Sequence, residues 1–350
     1  MQNQPKLQGL VIILLLMFSS PAVSGLLSGC PSSAGEVQNE KWLKLLEHLD
    51  AKVKGSEEAK RAVLIGLLTN SAVLLEGPPG VAKTTLIKSL AAATTLNYEK
   101  IQNTPDLNPA EIKGEVVTNI SSGERVLEEG QLLRGEIVFA DELNRAMPKV
   151  QASYLEAMSE KVVTVNKVAK PVQKIFFFVA AQNPASSREG NFELSSAQKD
   201  RFILSVGLSK PSREHKRAYL LNPNVKTPDL QDNFKLDRED ILTLQAKVEE
   251  VQITPEIVDK VLDLVEEVEG FSPSSNFKNS QMIEVYNRAE ESLIMAARAN
   301  AFIEGRKQVD IDDIKNLAVP VLRHRVVLQP SFKTQNKTIE EVIREIANDI

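Results

Sequence analysis

The stretch Ser71–Leu96, SAVLLEGPPGVAKTTLIKSLAAATTL, constrains this 350-residue chain more than any other. A short apolar run enters a Gly/Pro turn and leaves it as a helix-forming segment, the context in which a glycine-rich turn cradles phosphate. Such a loop works because successive backbone N–H groups converge on phosphate oxygens at a helix N-terminus. Pro78 and Pro79 cannot donate, whereas Gly80, Val81, Ala82, Lys83 and Thr84 can. The pattern G-x-x-x-x-G-K-[ST] is met except at Ala82, which stands where the second glycine belongs. Gly77 and Gly80 are expected to make the tight turn at positive φ. Ala82 is expected to open the helix at negative φ, where its methyl group costs some close approach but removes no donor. The candidate nucleotide-binding set is Gly77, Pro78, Pro79, Gly80, Val81, Ala82, Lys83, Thr84 and Thr85. Lys83 would reach the β/γ-phosphates of ATP and Thr84 would bind Mg²⁺.

Three more strand-like runs follow: GEIVFADE, KIFFFVAAQNP and RFILSVGL. Helical stretches such as PKVQASYLEAMSEK separate them, so the fold is α/β with a mostly parallel sheet covered on both faces. Ligands bind outside the carboxyl ends of such strands, which singles out the polar residues that end each run. Asp141 at one tip can hold Mg²⁺ through water, Glu142 beside it can polarise an attacking water, and Asn183 at another tip can orient that water. Phe176–Phe178 is expected to fill both faces of a central strand. Two segments break the alternation as hairpins, Val116–Asn119 with Arg125–Glu128, and KVVTVNKVAKPVQKIFFF. Beyond about Pro211 helical patterns with caps and breakers take over, an all-α domain. The expected division is a signal-like or anchoring segment over 1–30, a linker over 31–39, an α/β nucleotide-binding core over 40–211 and an α-helical domain over 212–350.

A net charge of −5 argues against a protein built to coat nucleic acid, and no aromatic-basic interleaving suggests a single-strand platform. Cys30 is the one cysteine, which excludes an intrachain disulfide and a thiolate cluster, and His48, His215 and His324 lack metal-ligand spacing. The apolar run Leu10–Phe18 has the length of a signal-peptide core and is short for a membrane span. LSGC also matches a lipoprotein processing box. A mistaken start, an anchor on the inner face of the membrane and a lipoprotein signal are the three readings of residues 1–30. The need for ATP favours a cytoplasmic core.

Taken together, LLEGPPGVAKT, TPDLNPAEIKG, VFADELNRAMPKVQASYLEAMSE, AAQNP, AQKDRF and VLRHRVVL resemble the AAA+ ATPases, and more narrowly their MoxR branch. The resemblance runs from about Val53 to Val327. It implies an AAA+ P-loop core followed by an all-α lid, assembled as a homo-oligomeric, hexameric ring with ATP between subunits. Alanine before the motif lysine is common in that family, and the two hairpins are similar to the inserts of the clade that also holds magnesium-chelatase ATPase subunits. Matching residue by residue, Arg201 in KDRF takes the place of the arginine finger, Arg145 in ELNRA is a further trans candidate, and Arg288 stands at the second sensor arginine. The family's GASPRA reads EVYNRA here, so only the arginine and the alanine after it survive. The function implied is an ATP-hydrolysing chaperone acting on a protein client, such as a von Willebrand factor A domain protein, or assisting metalloenzyme maturation. A nucleotide-gated scaffold with little hydrolysis and a magnesium-chelatase-like subunit are the alternatives, and a nucleic-acid translocase is the least favoured by charge.

Overall fold

The computed structural model describes residues 40–118, 123–183, 191–210, 230–270, 283–285, 288–328 and 338–350, with isolated residues between 213 and 221. The expectations for residues 1–39, Cys30 among them, and for His215 lie outside the described residues. Among the described residues no helix is long and apolar enough to cross a membrane.

Helices α1 (Glu40–Lys52) and α2 (Glu57–Leu68) lead into β1 (Ala72–Glu76), and α3 (Lys83–Ala92) follows it. Next come β2 (Tyr98–Gln102), α4 (Pro109–Lys113), β3 (Gly114–Thr118), β4 (Arg125–Glu129), α5 (Gln131–Arg134), β5 (Ile137–Asp141) and α6 (Pro148–Glu160). The core closes with β6 (Val162–Val165), β7 (Val168–Pro171), β8 (Phe177–Gln182), α7 (Ser196–Lys199) and β9 (Phe202–Gly207). Five strands form one sheet in the order β2-β5-β8-β1-β9, every neighbouring pair parallel. Strand side chains alternate between faces. Phe177 and Val179 therefore enter the larger apolar cluster, while Phe176 and Phe178 enter the smaller one on the opposite face. The phenylalanine triplet thus fills both sides of a central strand.

Strands β3 and β4 pair antiparallel, as do β6 and β7. Asn166 and Lys167 turn the second hairpin with both φ values positive, 48° and 69°, the geometry that follows strand twist. Strand β2 carries no apolar run. Its sequence YEKIQ buries only Ile101, as an edge position permits.

The C-terminal part contains α8 (Arg238–Glu249), α9 (Pro255–Gly270), β10 (Ile283–Val285), α10 (Ala289–Ile303), α11 (Ile311–Leu322), β11 (Val326–Leu328) and α12 (Ile339–Asp349). Asp237, Asp310 and Thr338 each close a capping box, which satisfies two of the N–H groups a helix start leaves orphaned. A short antiparallel pair, β10 with β11, adds to the helices. Helices α10 and α11 pack on α2 and β9, so one continuous apolar cluster joins these helices to the sheet.

Candidate active site

All five strands point their carboxyl ends to one edge, and there the chain turns at Gly77, Asn103, Glu142, Asn183 and Leu208. The phosphate loop leaves β1 at this edge. Gly80 adopts φ 81°, as expected of the turn, but Gly77 is not among the positive-φ residues. Gly77 is required for a different reason. A Cβ there would lie 2.7 Å from the carbonyl oxygen of Leu208, so only glycine lets the loop root pass β9. Ala82 departs further from the expectation of negative φ. It sits at φ 64°, ψ 20°, in the left-handed region, as the N-cap of α3. A left-handed conformation costs a non-glycine residue roughly 1–2 kcal/mol, so the missing glycine is replaced at a cost in strain. No side chain caps α3. Its first N–H groups have no intrahelical partner and stay available to an anion.

Lys83 is buried, and its Nζ donates to Gly77 O at 2.5 Å, Asn183 Oδ1 at 2.9 Å and Gln182 O at 3.2 Å. Burial holds its pKa below the usual lysine range, while the carboxylates of Asp141, Glu142 and Glu76 oppose that shift. Thr84 Oγ1 lies 3.4 Å from Asp141 Oδ2, and Lys100 Nζ approaches the same oxygen at 3.0 Å. The end of β5 is fixed by Asn103, whose N–H and side-chain amide both donate to Asp141 O, at 3.0 and 2.8 Å. Asn103 is fully buried and accepts from Tyr154 Oη at 2.6 Å. Glu142 adopts φ 54° and pairs with Arg145 at 2.8 Å across one turn of 3₁₀ helix. Lys83, Thr84, Asp141 and Asn183 thus meet within hydrogen-bonding range, with Glu142 beside them.

A cleft of about 380 Å³ lies between Lys54–Ala59 and Gly207–Lys210, with its Leu208 wall packed against the loop root at Gly77. Neither wall carries a sequence motif, and the cleft arises only when the start of α2 meets the end of β9. Lys100 and Asn103 were equally invisible in the sequence, because Lys100 lies in, and Asn103 directly follows, the edge strand β2, which carries no apolar run.

Arg201 and Arg288 are not part of this cluster. Arg201 precedes Phe202, which pairs with Ala72, whereas the loop follows Glu76, which pairs with Gly207. At roughly 3.3 Å per residue the two lie a strand length apart, on the order of 15–20 Å. Arg201 donates to Ala197 O at 2.7 Å and Ser159 Oγ at 3.2 Å. Arg288 lies at the same end, 3.7 Å from Asp200 Oδ2. Asp200 is buried against Arg325, whose guanidinium also reaches Ser292 and the carbonyls of Asp200, Phe202, Ile203 and Val321. Arg145 alone of the three arginines reaches the phosphate-loop edge of its own chain.

Comparisons with known families and structures bear on the fold and the lineage of the chain. A model described as "ATPase family associated with various cellular activities (AAA)" matches residues 72–204, and one described as "AAA lid domain" matches residues 282–346. The YeaC protein of Bacillus subtilis (strain 168) is 32% identical over 307 residues, 88% of this chain and 93% of its own. Chaperone MoxR1 of Mycobacterium tuberculosis is 32% identical over 341 residues, 95% of this chain and 87% of its own. Protein MoxR of Methylorubrum extorquens is 28% identical over 313 residues, 84% of this chain and 90% of its own. Among solved structures, a Cytophaga hutchinsonii protein assigned as an ATPase superposes with a TM-score of 0.76 at 28% identity, covering 89% of this chain and 94% of that one. The chain belongs to the MoxR family of AAA+ ATPases.

Proposed function

We propose that this protein hydrolyses Mg²⁺–ATP and uses the cycle to remodel or activate a partner protein. The observation that carries the reading is the convergence of Lys83, Thr84, Asp141 and Asn183 at the open N-terminus of α3. Lys83 exchanges its three protein acceptors for phosphate oxygens, and the N–H groups from Gly80 to Thr85 take the remaining charge. The Thr84 hydroxyl and the Asp141 carboxylate, 3.4 Å apart, are the hard oxygen donors that suit Mg²⁺. Mg²⁺ held there would neutralise phosphate charge during transfer. Glu142 polarises the attacking water and Asn183 orients it.

Arg201 is too far from its own phosphate loop to stabilise charge there, which supports a ring, hexameric by family resemblance, where it serves the neighbouring subunit's site. Arg288 lies with it and would act across the same interface. In this reading residues 40–211 form the nucleotide-binding unit and 212–350 the lid. The client is a protein, with von Willebrand factor A domain proteins and metalloenzymes under maturation as the family-based candidates. The supply of ATP places the core in the cytoplasm.

The pairing of Glu142 with Arg145 at 2.8 Å favours a second reading, slow basal turnover in a nucleotide-gated scaffold. A steady-state phosphate-release assay separates the two. Glu142→Gln is expected to bind Mg²⁺–ATP normally and to lose about 10²–10⁴-fold in turnover, the usual worth of a general base. Unchanged turnover in that variant would contradict the mechanism. Pull-downs with it in ATP are expected to retain the client.

A further inference from the structure

We propose that Arg323 is a positioning residue for the nucleotide, acting from the lid through Glu76. This rests on the reading of the phosphate loop as an ATP site. Arg323 caps the C-terminus of α11, and its Nη2 lies 3.5 Å from Glu76 Oε2 and 3.1 Å from Glu340 Oε1 on α12. A Cβ built on Gly207 would lie 2.9 Å from Arg323 Nη1. The glycine that ends β9 therefore makes room for the guanidinium beside the cleft.

Glu76 is the last residue of β1, directly before Gly77. Its Oε1 accepts from Gln182 Nε2 at 2.5 Å, and its Oε2 accepts from Ser205 Oγ at 3.2 Å. The carbonyl of Gln182 in turn accepts from Gly77 N at 3.1 Å and Lys83 Nζ at 3.2 Å. One carboxylate thus ties β1, β8 and β9 together at the root of the phosphate loop.

A carboxylate in that position is a liability for an anion site. Its charge repels phosphate unless a cation neutralises it, and the repulsion acts at short range in a partly desolvated edge. Arg323 supplies that cation, and it comes from the lid. The same guanidinium is shared with Glu340, so a displacement of α12 would change how much of the Glu76 charge the nucleotide meets. Arg323 needs no contact with ATP for this role. It sets the field at the loop root by neutralising the Glu76 carboxylate.

The test is the affinity of the full chain for Mg²⁺–ATPγS by titration calorimetry. Arg323→Gln is expected to weaken binding about tenfold, within the range of couplings between neighbouring sites. Arg323→Lys keeps the charge and is expected to stay near wild type. Glu76→Gln should bind no more weakly than wild type, and the double variant Glu76→Gln/Arg323→Gln should return to near wild type. Rescue by neutralising Glu76 is the readout that a merely structural role of Arg323 would not give. Unchanged affinity in Arg323→Gln, or a double variant as weak as that single one, overturns the proposal. Should Arg323→Gln not fold, Glu340→Gln carries the test. It frees Arg323 for Glu76, so tighter binding is expected and weaker binding contradicts. Lys83→Ala keeps the two readings apart. Wild-type binding that survives Lys83→Ala defeats the ATP-site reading itself, whereas Lys83-dependent binding indifferent to Arg323 defeats only this inference.

Discussion

At the carboxyl edge of the sheet Lys83 rests on acceptors that phosphate can replace, whereas at the amino edge Arg325 is buried with every guanidinium nitrogen partnered. The difference is one of openness. Asp141 and Glu142 are half-buried and paired with the exposed or half-exposed cations Lys100 and Arg145. Asp200 and Arg325 are sealed in, and although burial pushes Arg325 down to about 10, the carboxylate of Asp200 works against that shift. One edge is arranged to take up a ligand, and the other holds its charges in a fixed relation. Arg201 and Arg288 flank that fixed pair. A rigid platform for two outward arginines is what a site completed by a neighbour requires, since positioning carries most of phosphoryl-transfer catalysis. The triplet Arg323-His324-Arg325 spans both edges. Arg323 reaches Glu76 at one end of β9, while His324 and Arg325 hold the carbonyl of Phe202 at the other.

If the edges differ in this way, substitutions at each should fail differently. The largest effects are expected on turnover. Lys83→Ala should abolish ATP binding. Arg201→Ala should leave binding intact and lower turnover about 10³-fold, the lower end of what arginine fingers contribute. Equilibrium binding beside steady-state phosphate release checks both, and loss of binding in Arg201→Ala would erase the distinction.

Stability should show the opposite asymmetry. Asp200→Asn leaves a buried guanidinium without its counter-charge and is expected to cost about 3–5 kcal/mol, read by denaturant unfolding. Asp141→Asn at the open edge should change stability by less than about 1 kcal/mol, because its ion pair is partly solvated. Equal costs at the two edges would break the comparison.

The smallest effect concerns the loop itself. Ala82→Gly removes the left-handed strain but adds chain entropy on unfolding, so a net gain of about 1 kcal/mol or less is expected. Thermal unfolding in the absence of nucleotide measures it. Destabilisation would mean that the methyl group packs favourably at φ 64°.

Much of the open edge was legible in the sequence because its chemistry is local. An apolar run followed by a polar tip marks Asp141, Glu142 and Asn183, and the Gly/Pro turn into a helix marks Lys83 and Thr84. The backbone at Ala82 was not legible, since residue type and donor count say nothing about φ when the turn forces an alanine where glycine is cheapest. Strand β2 escaped because an edge strand need bury little, and with it went Lys100 and Asn103. The amino edge was legible only through family resemblance. Arg325 and Asp200 are 125 positions apart, and their pairing exists only once α11 docks on β9. The stretch VLRHRVVL carries family resemblance, yet nothing local tells which arginine serves which end of the strand.

In the proposed ring the two edges form one working site only across a subunit boundary. Mixing tests it most directly. Glu142→Gln and Arg201→Ala chains, each inactive alone, are combined before ATP is added, and phosphate release is measured. At the interfaces where an Arg201→Ala chain offers its intact Glu142 and a Glu142→Gln chain offers its intact Arg201, both groups are present. Turnover well above the sum of the separate variants is the predicted result. A mixture no more active than its parts would contradict the account.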